Sequence, residues 1–94
     1  MAASKAVRFG QHLKELRVHL CQRCSSSKGV RDFIEQHYVA IKQQNPHLPI
    51  LIRECNGIQP KIFARFDYGR ESSLPLTGFT SGEVLEAVNS LSSV

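Results

Sequence analysis

Three cysteines, at positions 21, 24 and 55, are the residues of this sequence whose types and spacing suggest chemistry. Cys21 and Cys24 form the segment CQRC, a Cys-x-x-Cys spacing that thiol-disulfide enzymes and zinc sites share. In an enzyme of this kind the attacking thiol lies at a helix N-terminus, where the dipole and free amides stabilise the thiolate. Here SSSKG precedes the helical pattern, so we expect the thiols to lie away from that field, although Arg23 and Lys28 could still lower a thiol pKa.

Other states of the cysteines also fit the sequence. Cys21 and Cys55 each end a predicted strand, and if these strands are parallel neighbours, their α-carbons lie near the ~5.5 Å that a disulfide needs. Such a bond would close a loop of about 35 residues and stabilise the fold by roughly 3 to 4 kcal/mol. Alternatively, all three thiols stay reduced and buried, as a reducing compartment favours. A zinc site needs four ligands and the sequence has no second paired motif, so we expect no metal. The sequence also lacks a nucleophile-base-acid set, so we expect no catalytic residue.

The elements that must position these cysteines begin with a strand. Apolar and polar residues alternate over residues 14–20, which is the period of a strand with one buried face. Apolar residues then recur at helical spacing from Val30 to Ile41, and Asn45-Pro46 ends that pattern. The run LPILIREC that follows predicts a strand buried on both faces, central in the sheet and parallel to the first.

The second half of the chain predicts a hairpin and a helix. KIFARFDYG reads as a strand that ends at Gly69, followed by an edge strand around residues 74–76. Thr80 and Glu83 predict a capping box for the last helix, whose buried stripe is Val84, Leu85, Val88 and Leu91. The order β-α-β-β-β-α predicts an α/β fold, with two helices on a four-stranded mixed sheet. The aromatic residues Phe63, Phe66 and Tyr68 are predicted to pack in the core of this fold, with Phe63 and Phe66 on opposite faces of their strand.

The positive charge is concentrated in the front half of the chain. Of the 94 residues, 1–47 carry eight lysines and arginines against three acids, and 48–94 carry four against five. Such a basic face could meet an acidic protein surface, RNA or anionic lipid. No apolar run approaches the ~18 residues of a membrane span. Residues 1–13 have no acidic residue and predict a flexible basic N-terminus, with possible uncleaved mitochondrial targeting, ahead of a domain over 14–94.

Several motifs together resemble one family. The cysteine loop after the first strand and Pro60 just before the third strand resemble a minimal thioredoxin-like fold, which implies a cis-proline at Pro60. The segments LRVHLCQR, GVRDFIEQHYVAIKQQNPHLPILIREC and QPKIFARFDYGRE are similar to the small thioredoxin-like accessory subunits of mitochondrial respiratory complex I, a family shared with small mitochondrial ribosomal proteins. Cys21 and Cys55 match cysteine positions of that family, which favours their pairing, and Cys24 stands where the family has serine.

The resemblance implies a non-catalytic accessory subunit that supports assembly or stability of the NADH-oxidising arm, peripheral to the mitochondrial inner membrane on its matrix side. The expected partners are larger subunits of the peripheral arm, and no cofactor, small-molecule substrate or nucleic acid is expected. Candidate contacts in the basic front half are Arg17, Arg23, Lys28 and Arg31. The alternatives are an RNA-binding protein of the mitochondrial ribosome and a thiol-disulfide oxidoreductase that uses Cys21 and Cys24.

Overall fold

The computed structural model describes residues 12–92, which form one four-stranded sheet and two α-helices. The strands and helices are β1 Leu13–Leu20, α1 Lys28–Gln44, β2 Ile50–Glu54, β3 Lys61–Phe66, β4 Glu71–Pro75 and α2 Ser81–Ser92. The predicted α/β class and the order β-α-β-β-β-α are confirmed. Residues 1–11 of the predicted N-terminal segment lie outside the described part. Within that part, the structure has no helix that is both long and apolar enough to cross a membrane.

The strand order in the sheet is β2-β1-β3-β4, with β1 parallel to β2 and antiparallel to β3. The predicted parallel pairing of β1 with β2 is therefore confirmed. The predicted central position of β2 and its burial on both faces are wrong, because β1 takes β3 as its second neighbour and leaves β2 at the edge. Leu51, in the middle of β2, is 40% exposed. The predicted hairpin of β3 and β4 is present.

Both helices contribute to one hydrophobic core on one face of the sheet. Alternate residues of β1 are buried, as the sequence predicts. The core contains Leu16, Val18, Leu20, Ile62, Ala64 and Phe66 from the sheet, and Val30, Phe33, Ile41, Val84, Val88 and Leu91 from the helices. Fully burying one such aliphatic side chain is worth about 1.5 to 3 kcal/mol. We call this side of the sheet the covered face.

The start of α2 matches the predicted capping box. The backbone N–H of Glu83 donates to Thr80 Oγ1 at 3.2 Å, and the backbone N–H of Thr80 donates to Glu83 Oε1 at 2.9 Å. Two N–H groups that the helix itself cannot satisfy thereby gain acceptors, which fixes where α2 begins. The loop before this cap lies against α1, since a Cβ placed on Gly29 would overlap the backbone carbonyl of Phe79. Glycine at position 29 therefore lets α1 approach the α2 cap closely.

The predicted cis-proline is wrong, because the described residues contain no cis peptide bond and the bond before Pro60 is trans. The trans form is ordinarily the lower in free energy by ~0.5 to 1 kcal/mol. Pro60 is nevertheless fully buried, and its carbonyl accepts the backbone N–H of Leu76 at 2.9 Å. That bond ties the start of β3 to the end of β4, so the trans proline still shapes this end of the sheet.

The predicted burial of the three aromatic residues is correct only for Phe66, which is in the core. Tyr68 is fully exposed at a positive φ of 63°, within the 3-10 turn Asp67–Gly69 that links β3 to β4. Phe63 does lie on the opposite face from Phe66, but it is half-buried among charged side chains. The reason is that the helices contribute to the core on one face only, and no other described element covers the second.

Candidate functional site

The first candidate site is the thiol loop, residues 21–27, which joins β1 to α1. Cys21 follows the last residue of β1, and Cys24 precedes a 3-10 turn, Ser25–Ser27. The backbone N–H of Ser27 donates to the carbonyl of Cys24 at 3.1 Å, and α1 begins at the next residue. The serine run that separates the thiols from α1 is thus a short 3-10 turn that leads directly into the helix.

The sulfur of Cys21 is buried and surrounded by backbone amides. The N–H groups of Arg23, Cys24 and Gly57 donate to it at 3.4, 3.3 and 3.3 Å. Two of these donors come from the thiol loop and the third from the turn after β2, so the two segments close over the sulfur together. Amide donors that converge on one sulfur stabilise its thiolate form.

The Cys24 side chain also affects the ionisation of Cys21. The interaction with the Cys24 side chain, with the amides of Gly57 and Arg23, lowers the pKa of Cys21 to about 6 against the opposing effect of burial. The same interaction and burial raise the pKa of Cys24. Cys21 is therefore the more acidic thiol of the pair.

Two further side chains hold the thiol loop in place. Arg31 in α1 donates through Nη1 to the carbonyls of Cys21 and Cys24, at 2.8 and 2.9 Å. Ser27 is fully buried, and its Oγ accepts the backbone N–H of Cys21 at 3.1 Å. Arg31, predicted as an interface residue, thus binds backbone groups of its own chain.

Cys55 lies beside the thiol loop at the end of β2. The register pairs Leu20 with Glu54, so one residue further on Cys21 is opposite Cys55. The backbone N–H of Cys55 donates to the carbonyl of Leu20 at 3.0 Å, and its side chain is exposed. All three cysteines are free thiols, so the Cys21 to Cys55 disulfide stays a prediction.

The second candidate site is the open face, the side of the sheet opposite the covered face. The register of the strands arranges its residues in three rows: Glu15, Arg65 and Glu71; then Leu51, Arg17, Phe63 and Ser73; then Arg53, His19, Lys61 and Pro75. Four of these side chains are lysine or arginine and two are carboxylates, so the face is net positive. None of the other described helices or strands packs over it.

The charges on the open face are unevenly paired. Arg17 contacts Glu15 at 3.2 Å and Glu71 at 2.7 Å, and Arg65 contacts Glu15 at 2.5 Å. In the third row, Arg53 and Lys61 have no ion pair with any described residue. The unneutralised positive charge is therefore concentrated at the end of the sheet near Cys55.

The positive charge at this end of the sheet acts on His19. Its pKa is lowered first by partial burial and then by the positive charges of Arg17, Arg53 and Lys61. The side chains of Arg17, His19, Arg53, Glu54, Cys55 and Ile58 line a shallow hollow at this end of the face. The hollow has two cations, Arg17 and Arg53, against one carboxylate, Glu54, so its net positive charge favours an anionic group.

Phe63 lies at the centre of the open face, with cations around its ring. The guanidinium carbon of Arg17 is 5.1 Å from the ring centroid and Lys61 Nζ is 5.8 Å from it. The imidazole of His19 is tilted against the same ring at 4.8 Å between centroids. These contacts hold long basic side chains close to the sheet, which lowers the entropy that they would lose on binding a partner.

The structure places the four predicted interface residues in different surroundings. Arg17 is on the open face, Arg23 is exposed in the thiol loop, and Lys28 pairs with Asp32 at 2.9 Å. Arg31 donates hydrogen bonds to carbonyl groups of the thiol loop. Sequence reasoning missed Arg53 and Lys61, because the pairing of three strands, and not a local pattern, brings them to the same face as Arg17.

Comparison with known proteins gives the same family that the sequence motifs resemble. A family model described as the mitochondrial ribosomal protein L51 / S25 / CI-B8 domain matches residues 30–81, and the chain belongs to this family. A mouse protein named NADH dehydrogenase [ubiquinone] 1 alpha subcomplex subunit 2 is 50% identical over 96% of this chain and 91% of its own length. An Arabidopsis thaliana protein of the same name is 47% identical over 88% of this chain and 86% of its length. The Neurospora crassa NADH-ubiquinone oxidoreductase 10.5 kDa subunit is 42% identical, covering 88% of both chains. The predicted resemblance is confirmed.

Proposed function

We propose that this chain is a non-catalytic accessory subunit of mitochondrial complex I, and that it binds an acidic surface on a larger subunit of the peripheral arm through its open face. Its place would be peripheral to the inner membrane on the matrix side. The proposal involves no cofactor and no small-molecule substrate, since the contribution of such a subunit is interface area and the stability of the assembly.

The similarity to relatives named as subunits of NADH dehydrogenase supports the class of function. It covers nearly the whole of this chain and nearly the whole of each relative. A domain of 94 residues that acts as a subunit must devote a surface to binding, and the fold narrows the choice of that surface.

The open face is the observation that carries the docking proposal. Among residues 12–92 no helix or strand covers this side of the sheet, and Leu51 and Phe63 lie there between basic side chains, so the face combines apolar contact area with positive charge. The positive end at Arg53 and Lys61 selects an acidic partner, because complementary charge speeds association and disfavours basic surfaces. Charge complementarity therefore points to carboxylates on the partner opposite the third row of the face.

The size of the open face also constrains how the chain binds. Four strands spaced ~4.8 Å apart, with about six residues each, present roughly 300 to 400 Å². A stable interface buries about 800 Å² per partner. Flanking segments must supply the rest, and the exposed Arg23 and Lys28 remain predicted contacts there.

Native separation of gently solubilised mitochondria tests the proposed function. The chain should comigrate with NADH dehydrogenase activity and stay with it at moderate salt. Migration as a free small protein would contradict the proposal. Sedimentation with ribosomal RNA would also contradict it and would indicate that Phe63, Arg17 and Lys61 bind nucleic acid by stacking and phosphate contacts, with a steep salt dependence.

A further inference from the structure

We propose that the free edge of β2 binds an extended segment of the partner subunit, which adds one more strand to the sheet and carries acidic residues on the side of the open face. This inference rests on the proposed function, because the acidic partner is the same. It goes further in that it assigns a binding role to the backbone of β2 and names the form that the partner takes there.

The backbone groups of β2 alternate between β1 and the edge of the sheet. The carbonyl of Pro49 accepts the N–H of Leu16 at 3.0 Å, and the N–H of Cys55 donates to the carbonyl of Leu20 at 3.0 Å. Pro49 and Cys55 therefore face β1, at the two ends of the parallel pairing. Because the backbone groups of a strand alternate in direction, the odd-numbered residues between them face β1 as well.

The even-numbered residues of β2 direct their N–H and C=O groups toward the free edge. These residues are Ile50, Ile52 and Glu54. The order β2-β1-β3-β4 puts β2 at one end of the sheet, and no strand among residues 12–92 pairs with it on that side. A row of such donors and acceptors is a template for pairing with a further extended segment.

The two edges of the sheet differ in their protection against an added strand. Proline and charged side chains are features that keep the edges of natural sheets from pairing. The other edge strand, β4, reads ESSLP, beginning with a carboxylate and ending at Pro75, which has no N–H. In contrast, β2 reads ILIRE, with three apolar residues in succession and no proline. The β2 edge is therefore the one that is open to pairing.

β2 also leaves apolar surface accessible on both sides of the sheet. Leu51 is 40% exposed on the open face. On the covered face, Ile50 and Ile52 pack against the core but are only partly buried, whereas their partners in β1, Leu16 and Val18, are buried. A strand beside β2 would shield these side chains as β2 shields those of β1. The area gained adds to that of the open face, which is too small for a stable interface alone.

The charge at this edge favours an acidic segment over a second copy of the chain. Arg53 lies on the open-face side of β2, where the positive charge is concentrated. Two copies paired antiparallel along all of β2 would bring their Arg53 side chains to diagonal positions, and β2 has no carboxylate on that face. A carboxylate opposite Arg53 in a partner strand forms a favourable cross-strand pair instead. On the covered-face side, Glu54 already accepts a hydrogen bond from Gln22 Nε2 at 2.8 Å, so the acidic residues belong on the open-face side only.

Hydrogen exchange of the chain inside the complex tests this inference without any substitution. The free chain and the solubilised complex are exposed to heavy water, quenched, digested with pepsin, and analysed by electron-transfer fragmentation, which resolves single amides. In the free chain, the edge amides of Ile52 and Glu54 should exchange rapidly, while those of Leu51 and Arg53, which face β1, should exchange slowly. In the complex, the amides of Ile52 and Glu54 should slow by at least ~100-fold.

The edge of β4 supplies the control for this measurement. Its outward amides, at Glu71 and Ser73, should stay fast in both states. Unchanged rates at Ile52 and Glu54 in a complex that contains the chain would overturn the inference while the proposed function stands. A complex without the chain would contradict the proposed function itself. Equal slowing at both edges would overturn the inference, since it would mean general shielding.

Protection already present in the free chain would overturn the inference as well. Slow exchange at Ile52 and Glu54 that is lost on dilution would show that a second copy covers the edge. Slow exchange that dilution does not change would show that the edge is covered by residues 1–11 of the same chain.

Proline at the edge gives a second test. Ile52→Pro removes the outward N–H but no bond to β1, and edge strands tolerate proline with its nitrogen toward solvent. Ile52→Ala is the matched variant, because it shortens the same side chain and keeps the N–H. In cells that lack the wild-type chain, Ile52→Pro should comigrate with NADH dehydrogenase activity at least ~10-fold less than Ile52→Ala, since a carbonyl of the partner is left unsatisfied. Equal comigration of two variants that fold, as judged by circular dichroism, would overturn the inference. If the proline variant does not fold, the exchange rates decide.

Discussion

The covered face and the open face are built from the same strands, yet they differ in almost every physical property. In β1, Leu16 and Val18 are buried in the core, while Arg17 and His19, which alternate with them, are partly exposed and surrounded by charge. Successive side chains of a strand point to opposite faces, so one segment encodes both the fold and a surface. The comparison indicates that substitutions on the covered face should change stability, and those on the open face should change association.

Shortening a side chain on the covered face should give the largest effect. Ile62→Ala removes a fully buried side chain from the centre of the core and should cost about 2 to 5 kcal/mol in unfolding free energy. The matched variant on the open face is Leu51→Ala, which should cost less than about 1 kcal/mol because Leu51 is partly in solvent. Urea unfolding measures both values. Equal losses would mean that the two faces do not differ as described.

A methyl group at the contact between α1 and the α2 cap should have the next largest effect. Gly29→Ala forces the new Cβ against the carbonyl of Phe79 and should destabilise the chain by about 1 to 3 kcal/mol. Gly82→Ala in α2 is the matched control, since the added Cβ meets no atom and alanine favours the helix by up to ~1 kcal/mol. Thermal unfolding should therefore shift in opposite directions, and a stable Gly29→Ala chain would contradict the close approach.

The pH dependence of stability should show a smaller effect from the open face. Burial, Arg17, Arg53 and Lys61 hold the pKa of His19 below its usual value of 6.5, so the unfolded chain binds a proton there more readily than the folded chain. Stability should fall as the pH is lowered through 6.5 toward the folded-state pKa. His19→Gln should remove this part of the slope in urea titrations.

The histidine His47 supplies a control for that titration, because it is exposed and lies in the loop between α1 and β2. His47→Gln should preserve the difference in stability that His19→Gln removes. If both variants had the same pH profile as the wild type, the positive charges around His19 would not act on it as the geometry indicates.

Local patterns in the sequence were enough to predict the covered face. The alternation in β1, the helical spacing in α1 and the capping box at Thr80 are set by neighbours a few residues apart, and all are present. The place of β2 in the sheet could not be predicted this way. It depends on β3 taking the second edge of β1, which is a contact between distant segments.

The candidate sites were only partly predictable for the same reason. Arg53 and Lys61 come together with Arg17 through pairings of three strands, and charge counts by chain half do not reveal them. The amides around Cys21 come partly from Gly57, which is 36 residues away in the sequence. Cys-x-x-Cys spacing alone therefore predicted neighbouring thiols but not the amide donors around the Cys21 sulfur.

Charge reversal on the open face tests the central claim most directly. Arg53→Glu combined with Lys61→Glu would be expressed in cells that lack the wild-type chain, beside a control with Val39→Glu and Gln43→Glu on the exposed side of α1. Purified variants should unfold within about 0.5 kcal/mol of the wild type, since these are surface positions. We predict that the open-face variant fails to comigrate with NADH dehydrogenase activity while the helix variant still comigrates. Normal comigration of the folded open-face variant would contradict the proposed docking.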